Sequence, residues 1–142
     1  MGGTPAAVEH LAPALDGLRL SLHVLAAAVW VGGQITLAGL LGAARTLGEG
    51  AAGTLARAFA RLQWPAYAVL LATGIWNVAV AGSGQPTAWQ AVLGAKVGIV
   101  LLAGLAAYLH TKASSRAALA AWGAVSGLSS VTALVLGIFL AG

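Results

Sequence analysis

The chain alternates between long apolar runs and short clusters of charge, and the charges divide it into four segments. The first runs from about Leu18 to Leu41, bounded by Arg19 and Arg45. The second runs from about Gln63 to Ala81 and follows Arg57 and Arg61. The third runs from about Trp89 to His110 and ends at Lys112, and the fourth, from about Ala117 to Leu140, carries no charge. Each is close to the roughly 20 apolar residues that a helix needs to cross the hydrocarbon core of a bilayer. The expected fold is therefore all-α and integral to a membrane: an antiparallel four-helix transmembrane bundle with short connections. Residues 1–17 form an external segment in this reading, and residues 18–142 a single membrane domain.

Composition sharpens this picture. Of 142 residues, 60% are hydrophobic and 7% charged, against roughly 25% charged in a soluble domain. Lipid must be the solvent for most of this surface. A net charge of +4 is too sparse for a nucleic-acid footprint, so the first partner is the bilayer. The placement of charge says more than its size. Arg45, Arg57, Arg61, Lys112 and Arg116 fall on the side of the first and third connections, whereas the opposite side has Arg19, offset by Glu9 and Asp16. Lys and Arg mark the cytoplasmic side, so both termini are expected to face outward from a bacterial cytoplasmic (inner) membrane. Cysteine is absent and Met1 is the only methionine, which removes thiolate and thioether ligands from the spans.

AAAVWVGG, LGAKVGIVLLAGLAA and AVSGLSSVTALVLG carry small residues at helical spacing. In lipid such residues let helices approach closely, and Ser126, Ser129, Ser130 and Thr132 are read as packing. Gly123, Gly127 and Gly137 on the fourth helix suit a homodimer interface or the bundle interior equally well.

Ionisable groups at membrane depth are expensive and mark function. His23 lies ~8 Å inside the outer end of the first helix and Lys96 ~10 Å inside that of the third. Trp76 and Asn77 also lie near the outer end of the second, so groups from three helices share a layer. His110 is one helical face with Lys96 but roughly 21 Å lower, which excludes it from the same site. Trp30 at i+7 from His23, followed by Gly33 and Gln34, continues the His23 stripe. The candidate cofactor-binding residues are therefore His23, Lys96, Trp30, Trp76 and Asn77. Neutral imidazole ligates iron, copper or zinc. A haem needs one or two protein ligands and a flat apolar slot, which Ala26, Ala27 and Gly32 leave room for, with Lys96 as propionate partner or second axial ligand. Copper would instead need an irregular outer site of His23, His10, Glu9 and Asp16.

LHVLAAAVWVGG, RAFARLQWPAYAVLLATGIWNV and LGAKVGIVLLAGLAAYLH resemble the CopD-type membrane domain, in the superfamily shared with HemJ-type protoporphyrinogen oxidases. The shared features are the His, Trp-x-Gly-Gly, a Thr-Gly in the second helix and a Lys in the third. The CopD resemblance implies copper movement across the membrane. The HemJ resemblance implies haem b held by His23 and Lys96 as the functional pair. The chain after Gly33 departs from the HemJ pattern, so protoporphyrinogen oxidation is not expected. Three functions stay open: a haem b protein working with a membrane redox partner, a copper-handling protein, and a structural subunit of a membrane complex.

Overall fold

The structure, a computed structural model, describes residues 14–141. The calls on Glu9 and His10, and most of the 1–17 segment, lie outside the described residues. Four helices make up the described chain: α1 (Ala14–Thr46), α2 (Ala51–Ala81), α3 (Thr87–Lys112) and α4 (Arg116–Ala141). All four are long and apolar enough to cross a membrane, and at 1.5 Å per residue even 26 residues make about 39 Å against a core of about 30 Å.

The helices outrun the apolar runs, most of all on the side of the first connection. α2 starts at Ala51, a dozen residues before the apolar stretch, and α1 continues past Leu41 to Thr46. Hydropathy marks where lipid begins, whereas a helix continues as long as its backbone ladder can. The expected long connection shrinks to residues 47–50, where Gly48 (φ 122°) and Gly50 (φ 84°) adopt left-handed conformations that other residues reach only with strain. At the other end, α1 includes Asp16 and Gly17, which the sequence places outside the membrane domain.

The helices pack as two hairpins, α1 with α2 and α3 with α4, and the second pair is the more intimate. Its interface is built of small side chains: Ala103, Ala106, Ala107, Ser126, Ser129, Ser130 and Ala133 are all buried. Large apolar side chains such as Val24, Ile75, Leu128, Ile138 and Phe139 face outward. This inversion of a soluble core is the arrangement that lipid demands, since association rests on close packing rather than on hiding oil from water.

One irregularity organises the bundle. Residues Ala28–Gly32 form a π turn inside α1, a wide turn that often occurs at functional positions. It carries Trp30, only 2% exposed, into the junction of the two hairpins. There the indole stacks against Tyr67 (centroids 4.4 Å) and meets the edge of Trp64 at 6.0 Å. Its Nε1–H donates to Ser130 Oγ of α4 at 2.8 Å. Gly33 is the floor for the Phe59 ring, and Gly104 for Tyr67; a Cβ at either would overlap the aromatic ring. The Tyr67 hydroxyl then donates to the Val100 carbonyl at 3.0 Å, the second tie between hairpins.

Candidate functional site

The inner faces of α1 and α2 meet as rungs. Arg19 bonds Asn77, and one turn deeper His23 bonds Thr73; each step of four along α1 matches a step of four back along α2, as antiparallel helices require. His23 Nδ1 lies 2.8 Å from Thr73 Oγ1. The same hydroxyl lies 2.7 Å from the Val69 carbonyl and 3.2 Å from that of Leu70. Carbonyls only accept, so the single hydroxyl hydrogen is directed at them and His23 Nδ1–H is the donor to Thr73. The imidazole therefore carries its free lone pair on Nε2. Its Cε1 edge rests where a Cβ on Gly74 would come within 3.7 Å. Thr73 and Gly74 are the Thr-Gly of the second helix, and together they form the seat of the histidine.

Lys96 reaches this layer from the other hairpin. Its Nζ sits over Gly137 of α4, where an added Cβ would come within 2.9 Å. The register between α1 and α4 is set by Trp30 facing Ser130 and Gln34 facing Ser126. Continued outward, it brings His23 level with Gly137. The register between α2 and α3, fixed by Tyr67 on Val100, puts Thr73 opposite Gly94, within about 3 Å of the depth of Lys96. Lys96 and Arg19 are both within electrostatic reach of the imidazole. The packing brings His23 and Lys96 to one level of the bundle, and both side chains are half-buried. His23 belongs to α1 and packs on α2, whereas Lys96 reaches the same layer from α3, over Gly137 of α4.

Arg19 was read from the sequence only as a boundary charge. It is 8% exposed, held by Asp16 Oδ1 at 3.0 Å and by Asn77 Oδ1, while its Nε is buried without a partner. Asn77, a candidate ligand contact, is committed to this arginine. Trp76 is 39% exposed, as suits an indole at a lipid–water boundary. Trp30 belongs to the hairpin junction rather than to the His23 layer. The π turn explains why the single stripe expected from His23 through Gln34 does not form. A widened turn sets the downstream residues back by roughly 100° relative to a regular helix. Accordingly, His23 faces α2, while Gln34 faces α4.

Gln34 joins a second polar cluster. Its Nε2 donates to Ser130 Oγ at 3.2 Å, and the Ser126 hydroxyl lies 3.3 Å from Gln34 Oε1 and 3.1 Å from the Ala103 carbonyl. Ser126 and Ser130 are thus packing residues with a hydrogen-bonding task, as membrane interfaces use them. Thr132 is exposed and returns its hydroxyl to the Leu128 carbonyl. His110, as expected, is remote: its Nδ1–H donates to the Leu119 carbonyl at 2.8 Å, at the connection between α3 and α4.

Two surface depressions of about 470 and 590 Å³ lie near the α2–α3 and α1–α2 connections, and neither is lined by His23 or Lys96. Among the described residues, no group of three His, Asp or Glu side chains converges as a metal-ion site. Comparison with protein families, with curated proteins and with solved structures finds no match for this chain. The chain is all-α, with four helices long and apolar enough to cross a lipid bilayer, and a histidine of α1 held against α2 within the first hairpin.

Proposed function

We propose that the protein is a haem b-binding protein of a bacterial cytoplasmic membrane, with His23 as axial ligand in the outer half of the bundle and both termini outside. The observation that carries this reading is the seat of His23. Thr73 fixes the ring through Nδ1–H and leaves Nε2 free, the orientation that a second partner imposes on ligating histidines. The remaining surroundings fit a haem in their chemistry. Gly74 leaves the ring edge uncrowded, and Lys96 and Arg19 supply positive charge for propionates. A bound haem would supply redox chemistry at the iron; the chain would supply the imidazole, its orientation and the low-polarity walls.

The donor set fits a bare copper ion less well. A cation at His23 would face Arg19 and Lys96, and Asp16, one of the two carboxylates expected in the copper site, is paired with Arg19. The resemblance to the CopD and HemJ superfamily supports a cofactor on the first-helix histidine, and the Thr-Gly of that motif is what His23 touches. An absorption spectrum and metal analysis of protein purified from haem-replete cells test the proposal. A Soret band that disappears in His23→Ala is expected. Colourless protein carrying stoichiometric copper would give the copper reading the advantage, and protein with neither cofactor but a stable co-purifying partner would support a structural subunit.

A further inference from the structure

We infer that the layer around His23 recognises a carboxylate carried on an apolar body, with Arg19 and Lys96 as the groups that bind it. The inference rests on His23 as the centre of a ligand site and adds the arginine, which no motif in the sequence singles out.

Three observations converge. First, Arg19 is 8% exposed and lies one helical turn outward from His23 on the face that meets α2. A guanidinium is charged at any relevant pH, so it cannot relieve burial by losing its proton. Its Nε has no partner, and an unmade hydrogen bond from a buried charged group is costly. Second, the antiparallel registers bring Lys96 to the level of His23 from the opposite hairpin, its ammonium packed over Gly137. Third, the charges do not balance. Among the described residues of this layer there are two cations, Arg19 and Lys96, and one anion, Asp16, which is bound to Arg19. With the imidazole neutral, one positive charge is left over. At membrane depth such an excess is stabilised by an anion brought from outside.

The anion must also suit the walls. Leu20 and Val97, next in the chain to Arg19 and Lys96, expose apolar surface, so a ligand with one acidic end and a hydrophobic remainder satisfies both. Haem b, through its propionates, has this chemistry; so does a fatty acid from the bilayer. Asp16 is the resident model for the contact: it is 36% exposed and engages Arg19 through one oxygen at 3.0 Å. An incoming carboxylate would take over the position of Asp16 on Arg19, with Lys96 approaching from the other hairpin.

The test compares acids with their esters on the full chain in detergent. One arm titrates haem b and haem b dimethyl ester, read by the Soret band. The other titrates dibrominated stearate and its methyl ester, read by quenching of tryptophan fluorescence. The acid form should bind about tenfold or more tightly than the ester, the scale of a charge-assisted hydrogen bond. This preference should shrink in Arg19→Gln and in Lys96→Gln. Lys96→Gln keeps the test valid if loss of Arg19 prevents folding. Esters that bind as well as acids in both arms overturn the inference. The haem reading fails separately: if neither porphyrin form binds but stearate is still preferred over its ester, the carboxylate site stands and its ligand is a lipid acid.

Discussion

A hydroxyl has one hydrogen to give, and Thr73 directs its own at the backbone of the preceding turn. That small fact decides the tautomer of His23 and leaves Nε2 free to ligate. Thr73→Val, which keeps the shape and removes the acceptor, should weaken cofactor binding by about tenfold to a hundredfold, whereas Thr73→Ser should restore most of it. Equal affinity in the valine variant, measured by haem titration, would show that the hydroxyl does not orient the ring. The histidine itself was legible in the sequence because an imidazole in an apolar run demands a reason. Its partner was less so: threonines are common in membrane helices, and Thr73 stood out only as part of the Thr-Gly that the resemblance shares. Arg19 was masked by its position, since a charge at the edge of an apolar run looks like a boundary whether it is solvated or buried.

At the scale of elements, the π turn is the feature that periodicity could not supply. A regular helix puts His23, Trp30 and Gln34 on one stripe; the widened turn divides that stripe between α2 and α4 and leaves Trp30 to join them. Nothing in AVWVG announces a π turn, because its cause lies in the neighbours: the indole must reach Ser130 while Gly33 accepts Phe59. A double-mutant cycle of Trp30→Phe and Ser130→Ala should give a coupling of about 1 kcal/mol or somewhat less, the range of interhelical bonds in lipid, read by unfolding in detergent. No coupling would mean that the tie is geometric only. Gly104→Ala should be more damaging than Tyr67→Phe. The added Cβ overlaps the ring and forces the hairpins apart, while the lost hydroxyl removes a single bond to Val100. The reverse order of thermal stability would contradict the role assigned to this contact.

For the whole molecule, four spans were plain from hydropathy, and helix ends were not. The backbone ladder of α2 continues through Arg57 and Arg61, beyond anything an apolar run can report. The charge asymmetry predicts an orientation, and the cysteine-free sequence makes it easy to probe. In intact cells an impermeant thiol reagent should label a cysteine placed at Ser83, in the α2–α3 connection, and leave one at Ser114, in the α3–α4 connection, unlabelled until the membrane is opened. The opposite pattern would invert the bundle and move His23 to the cytoplasmic half. The central claim, that His23 holds haem b within the bundle, is tested most directly by titrating haem b into cofactor-free protein and following the Soret band. The account predicts saturation at one haem per chain for the wild type, and loss of that saturable band in His23→Ala protein that remains folded and monodisperse. An unchanged titration in His23→Ala, or no saturable binding by the wild type, would contradict it.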